Sequence, residues 1–399
     1  MIIERKKEAE KIDKSKKWVF VYGRRKTGKT FLVKNFAKYD EYYFVKRNKS
    51  IIDQNNRSVE IKVFEEILRR ELKKKIIVID EFHRLGDDFL DFLHFLNGKG
   101  KLILISSTLW LSKKLLKNKS PILGLVTEIP IGLIDPLLIF KKLKIQNKKE
   151  IVEKAIIGKE PITLDIINKK IGEIIIDLKT TIPALIGEIF EEEEKELSAI
   201  YEAILRAIAI GKKISSEISS LLFSKGLLKK DDPSIIQQYL LNLVNFGLIK
   251  KIKIFGKKKR FIYEHISPLF WIYFYADEKY NISERKINEN EMEKIIVEIM
   301  PRIVESNLRE IMAEKYGLIE GIGTINGREI DVCLLKFKRP FIAAEIKWKK
   351  NISKGDIKKA EENLDLIDCK EKFIIVPDKK KVKYKTKYKI IEGIEVLKN

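Results

Sequence analysis

Cysteine and histidine are scarce in this 399-residue chain: there are two of the first and three of the second. Cys333 and Cys369 are too few for a disulfide framework or a cysteine-rich zinc site. Both stand beside apolar residues and read as ordinary buried or half-buried thiols. No apolar run reaches the ~18 residues that span a bilayer. The opening Met1-Ile2-Ile3-Glu4-Arg5-Lys6-Lys7 has no apolar signal-peptide core. A cytoplasmic protein with no membrane partner is therefore expected. Acidic residues are also short: 81 Lys and Arg stand against 58 Asp and Glu, a net charge of +23. That excess favours nucleic acid or another polyanion as partner, while a Lys-, Ile- and Glu-rich composition is also common in hyperthermophile proteins. The hydrophobic fraction of 45% excludes a disordered tail protein. The length allows roughly two to four domains.

The most informative stretch is Val19-Phe20-Val21-Tyr22 followed by Gly23-Arg24-Arg25-Lys26-Thr27-Gly28-Lys29-Thr30. It reads as a strand that turns tightly into a helix. Backbone N–H groups of such a turn, with the helix N-terminus, form an anion site. Residues 23–30 are the expected nucleotide-binding loop, with Lys29 on the β- and γ-phosphates and the Thr30 hydroxyl on Mg²⁺. Downstream, Ile76-Ile77-Val78-Ile79 reads as a buried parallel strand ending in Asp80-Glu81. Behind a phosphate loop, Asp80 would enter the Mg²⁺ shell and Glu81 would act as general base on water. A second buried strand, 101–105, ends in Ser106-Ser107-Thr108. These hydroxyls either sense the γ-phosphate or cap the strand end. His83 and His94 have no second His or Cys at ligand spacing and read as non-ligands.

Residues 135–197 have an amphipathic helical pattern, and the acidic run Glu191-Glu192-Glu193-Glu194 reads as a solvated helix start. Three short helices then precede two strands, 248–255 and 260–263, around the turn Gly256-Lys257-Lys258-Lys259. That order is expected to form a winged helix. Its third helix would present Gln237, Gln238 and Asn242, and the wing tip would touch a phosphate backbone; docking on protein is the other reading. In the last third, a helix carries Glu305, Asn326-Gly327 marks a hairpin, and adjacent strands carry Asp331, Glu345 and Lys347. Alternation puts Glu345 and Lys347 on one face. Three carboxylates and a lysine meeting there could hold Mg²⁺ and activate a water against phosphate; a salt-bridged surface strand is the plainer alternative. The lysine-rich tail at 379–387 reads either as a phosphate track or as a protected sheet edge.

The strand, Gly-Arg-Arg-x-x-Gly-Lys-Thr, Ile-Asp-Glu-Phe, and strand ending in Ser-Ser resemble the archaeal ATPase family of AAA+-like P-loop proteins. Ile3-Glu4-Arg5 with Glu8 resembles the lead-in of that family, which would bring Arg5 to the adenine or its loop. Gly327-Arg328-Glu329-Ile330-Asp331 and Glu345-Ile346-Lys347-Trp348 are similar to the PD-(D/E)xK nuclease pattern, a domain commonly fused to that family. The resemblance implies an α/β protein in four parts: a P-loop parallel-sheet ATPase domain (1–134), a helical lid (135–196), a winged helix (197–280) and a restriction-endonuclease-like α/β domain (281–399). It implies ATP and Mg²⁺ as cofactors, with catalytic Lys29, Glu81, Asp331, Glu345 and Lys347. The metal ligands would be Thr30, Asp80, Glu305, Asp331 and Glu345. DNA or RNA is the implied partner, an oligomer is possible, and Arg84 or another arginine could serve as a finger. The function expected is ATP hydrolysis coupled to the nuclease-like domain. Its alternatives are an ATP-regulated endonuclease and an ATP switch acting on a protein partner. Gly158-Lys159-Glu160-Pro161 stands where that family often has Gly-Gly-x-Pro, so a sensor in the lid does not transfer directly.

Overall fold

The computed structural model describes residues 1–115, 120–257 and 260–398. Lys258 and Lys259, half of the expected wing tip, lie outside the described residues. β-Branched runs pair as the interior strands of a seven-stranded sheet. Its spatial order is Ser58–Val59, Ile51–Asp53, Glu41–Val45, Ile76–Asp80, Lys101–Ser106, Trp18–Tyr22 and Val126–Pro130. The last five are mutually parallel, and the two short edge strands are antiparallel. Trp18–Tyr22 and Ile77–Asp80 are buried throughout, as befits strands covered on both faces. Separate apolar clusters fill the two sides, one around Trp18, Phe64 and Phe89, the other around Ile12, Val33 and Ile103. Because the strands are parallel, the phosphate loop and Asp80-Glu81 emerge at the same sheet end.

A third and larger core holds most of the remaining chain together. It runs from Ile134 through Leu269 and Met292 to Leu397. The region expected to be a lid contains Pro136–Phe140, Lys148–Ile157, Ile171–Asp177 and Thr181–Glu192. Helices Ala199–Ala209, Ser215–Ser224 and Gln237–Asn245 precede the hairpin Ile249–Phe255/Phe261–His265. Next come the packing helix Pro268–Tyr280, capped by Ser267, and the 28-residue helix Glu289–Tyr316.

Two details depart from the sequence reading. The strand expected over 328–335 breaks at Asp331 into Arg328–Ile330 and Val332–Lys336, which join different sheets. Gly321–Ile325 pairs in parallel with Ile249–Phe255, so one four-stranded sheet crosses the boundary expected at 280/281. The other four-stranded sheet runs Val332–Lys336, Arg339–Ile346, Glu371–Val376, Lys389–Glu392. Among the described residues, no helix is long and apolar enough to cross a membrane.

Candidate functional site: a nucleotide centre and a charged cavity

The loop after Trp18–Tyr22 is shaped by glycine. A Cβ on Gly23 would lie 2.1 Å from the Ile131 carbonyl oxygen, and Gly28 has φ +90°. Lys29 opens the helix Lys29–Phe36, and its Nζ donates to the Arg24 carbonyl at 2.9 Å. Burial pushes its ammonium down to about 8, against the pull of Glu81 and Asp80. Thr27 Oγ1 also donates to the Arg24 carbonyl. Lys26 is exposed. Arg5 holds the loop from outside, donating to the carbonyls of Thr27 (3.0 Å) and Gly132 (2.9 Å). A cavity of about 290 Å³ lies beside the loop, lined in part by Ile3, Gly28, Phe31 and Ile134.

The Thr30 hydroxyl donates to Asp80 Oδ2 at 2.7 Å, and the Tyr42 hydroxyl donates to the same oxygen at 2.6 Å. Asp80 Oδ1 is buried without a hydrogen-bond partner among the described residues. Burial, then the charge of Glu81, raise the Asp80 carboxyl above its usual range. A hydroxyl, a carboxylate with one free buried oxygen and a neighbouring lysine suit a hard divalent cation beside phosphate. The residues therefore fit Mg²⁺.

Glu81 sits at φ +59°, a conformation uncommon outside glycine. Its Oε2 accepts from the Ser107 N–H (3.1 Å) and hydroxyl (2.8 Å). Of the three hydroxyls at that strand end, Ser107 is the one that meets Glu81. Ser106 and Thr108 bond to each other and to Ser112.

The acidic run requires a correction. It is not a solvated helix start but the C-terminal end of Thr181–Glu192, with Glu192 and Glu193 buried. Glu192 accepts from Arg25 (2.9 Å), Arg84 (2.8 Å) and the Ser107 hydroxyl (3.2 Å). Burial alone would raise its carboxyl; the nearby His83 and the charges of Arg84 and Arg25 outweigh this and hold it near 2. A carboxylate at a helix C-terminus opposes the macrodipole, and these cations offset that cost. His83 thus stands near Glu81 (3.5 Å) and Glu192 (3.6 Å), and the three offer ligand atoms within 4.8 Å of one another. Glu192 escaped the sequence reading because its partners Arg25, Arg84 and Ser107 are far away in the chain.

Two loop arginines reach carboxylates of the helical region that follows the sheet. Arg24 makes a buried pair with both oxygens of Glu160 (2.7 and 2.8 Å) and lies over the Phe270 ring at 4.9 Å. Arg25 also bonds Glu188. Next to Glu160, Lys159 points the other way, to Asn307 Oδ1 (2.8 Å) and Glu310 (3.0 Å) of the long helix.

Glu305 of the same helix lines a cavity of about 860 Å³ together with Asp331, Glu345 and Lys347. Asp331 stands at the strand break, where its Oδ2 accepts the Ile346 N–H at 2.8 Å. Lys347 donates to Glu345 at 2.6 Å, and Asn363 donates to the other oxygen at 3.2 Å. Burial, then the charge of Asp331, raise Glu305 to about 8 and Glu345 to about 7. Burial favours neutral Lys347, but Asp331 and Glu345 override it and keep the ammonium charged. Asn363 also lines the cavity, and its buried Oδ1 has no partner among the described residues. Crowded carboxylates beside an unpartnered amide oxygen suit a hard cation as well.

On the helix Gln237–Asn245, Gln238 donates to Asn242, and Asn242 donates to the Tyr201 hydroxyl at 2.6 Å. Asn242 is thus engaged within the fold.

Residues 15–126 match the model of a family described as an AAA domain. The chain accordingly carries an AAA-type ATPase domain, which spans the phosphate loop and Asp80-Glu81. No curated protein matches the chain. Among solved structures, it is similar to the Aeropyrum pernix ORC2 protein in ADPNP–ADP complexes, at 12% identity and a TM-score of 0.37, covering 71% of this chain and 87% of that one. The Aeropyrum pernix ORC1 protein in complex with DNA aligns at 12% identity and 0.31, over 71% and 94% of the two chains. Cdc6p from Pyrobaculum aerophilum aligns at 15% and 0.24, over 67% and 87%.

Proposed function

We propose that the protein binds ATP with Mg²⁺ and hydrolyses it, and that the nucleotide state acts on a nucleic-acid site in the last third of the chain. The observation that carries the ATPase reading is Asp80: one oxygen holds Thr30, the other is buried and unpartnered, and Lys29 stands beside it. Backbone N–H groups of residues 23–30 would cradle the phosphates, and Lys29 would leave the Arg24 carbonyl to bind their oxygens. Thr30 and Asp80 would hold Mg²⁺, which supplies charge neutralisation on the phosphates. Glu81, held by Ser107, would orient the attacking water and accept its proton. The four-part division at 134, 196 and 280, with a winged helix in the third part, belongs to this proposal. In it, the pairs from Arg24 and Arg25 to 160, 188 and 192 carry the nucleotide state into the lid.

Lys29→Ala is expected to abolish nucleotide binding, read by fluorescence anisotropy of a labelled ATP analogue; unchanged turnover in that variant sinks the assignment. Glu81→Gln is expected to bind ATP and fail to hydrolyse it.

A second reading, an endonuclease governed by ATP, is favoured by the convergence of Glu305, Asp331, Glu345 and Lys347 on one cavity. Incubation with plasmid or oligonucleotides and Mg²⁺ or Mn²⁺ tests it. Cleavage that survives Asp331→Ala counts against it.

A further inference from the structure

The large cavity has a second wall that the nuclease-like motif does not contain. Arg302 lies one turn before Glu305 on the long helix, and residues three apart share a helix face. Gly211 and Lys213, from the turn after Ala199–Ala209, line the same cavity, as do Lys358 and Lys359 on the exposed side of Lys354–Asp365. Gly211 has φ +103°, and a Cβ there would come within 3.2 Å of the Arg302 guanidinium. The guanidinium thus lies close against the Gly211 backbone. Arg302, Lys358 and Lys359 are exposed, and no hydrogen bond or ion pair of their side chains is present among the described residues. Lys213 is tied to Glu264 at 3.2 Å and lines the cavity together with Glu305. The N-terminus of Lys354–Asp365 is satisfied by its own Ser353–Asp356 capping box, and the remaining cation of the lining, Arg328, is paired with Glu362 at 3.1 Å, which leaves Arg302, Lys358 and Lys359 as the unpaired cations of the rim among the described residues. Among the described residues, no aromatic side chain lines the cavity, which leaves no platform for stacking a base.

We infer that this cavity binds the phosphodiester backbone of nucleic acid irrespective of sequence: Arg302, with Lys213, Lys358 and Lys359, holds a phosphate that flanks the one facing Asp331, Glu345 and Lys347. The inference rests on the nucleic-acid reading of the cavity and adds residues from outside its motif. The site is then composite, since the segment around 211–213 belongs to the helical region that precedes the hairpin.

The test is anisotropy of labelled oligonucleotides of several sequences with the full chain in EDTA, across a salt series, so that binding is read without cleavage. Arg302→Gln is expected to weaken binding about fivefold or more, equally for every sequence, and to lower the slope of log K against log salt by about 1. Asp331→Asn is expected to retain binding. If Arg302→Gln fails to fold, the Lys358→Gln/Lys359→Gln double variant gives the same readout. Wild-type affinity and slope in the substituted chain overturn the inference and leave the nuclease reading intact. Absence of cleavage under every metal and nucleotide, with the Arg302 effect present, refutes the nuclease reading and supports the inference. Wild-type protein that binds no oligonucleotide refutes the inference.

Discussion

Arg24, Glu192 and Lys159 show how single residues are placed by charge. Arg24 is 4% exposed and Glu160 0%, so each would be an uncompensated buried charge without the other. Glu160→Ala is expected to cost roughly 3–5 kcal/mol, seen as a lower midpoint in urea unfolding. Glu192 makes a pH-dependent contribution. Its folded carboxyl lies near 2, below the usual value of about 4.3 for glutamate. The stabilisation is therefore fully present above pH ~4.3 and is lost as pH falls through about 2, amounting to about 3 kcal/mol at most. Unfolding free energies of wild type and Glu192→Gln should differ by a constant amount above pH ~5 and converge towards pH ~2. A difference that stays constant down to pH ~2 would show that the carboxylate is not held by these cations.

At the scale of elements, some parts are legible in local pattern and others are not. The parallel strands are readable because burial on both faces demands uninterrupted β-branched runs, as in Ile76-Ile77-Val78-Ile79. The phosphate loop is readable because close backbone approach demands Gly23 and Gly28 at fixed positions. The break at Asp331 was missed because alternation continues through it: Ile330 and Val332 are both buried, but in different sheets. Strand partners are equally invisible to pattern, so the pairing of Gly321–Ile325 with Ile249–Phe255 could not be anticipated. That pairing predicts the behaviour of a shortened chain. A fragment ending at Tyr280 would leave Ile249–Phe255 with an unpaired edge and would lose the helix Glu289–Tyr316 from the large core. It is expected to aggregate or to be degraded by trypsin much faster than the full chain; a soluble, cooperatively unfolding fragment would show that the shared sheet is dispensable.

Over the whole molecule, the seven-stranded sheet has its own two cores, and the rest of the chain has one large core with two smaller ones, around Cys333 and Ile374 and around Ile252 and Ile322. The sheet and the rest of the chain meet at the phosphate loop, through Arg24 with Glu160 and Phe270 and Arg25 with Glu188 and Glu192, and beside it through Arg84 and Ser107 with Glu192. Lys159 and Glu160 are consecutive and face opposite ways, one to the long helix bearing Glu305 and the other to the loop. Nucleotide binding is thus expected to stabilise both bodies together by mass action. Calorimetry of wild type with Mg²⁺ and ATP should give one merged transition. Lys159→Met should keep nucleotide affinity within about threefold and lessen the effect of ATP on oligonucleotide binding by roughly tenfold or less, the usual span of coupling energies. An unaltered ATP effect would remove Lys159 from the connection.

By itself the sequence determined the phosphate loop, the Asp80-Glu81 strand end and most helices, because each is specified by residues within a few positions of one another. The cavity residues 305, 331, 345 and 347 were also legible as candidates, since strand alternation and the hairpin bring three of them close locally. Only the tertiary structure decided that Glu192 enters the nucleotide centre, 167 residues from Arg25, and that Arg302 rests on Gly211. Such contacts are selected by burial and charge compensation after distant segments dock, and those forces leave no spacing in the chain for periodicity to detect.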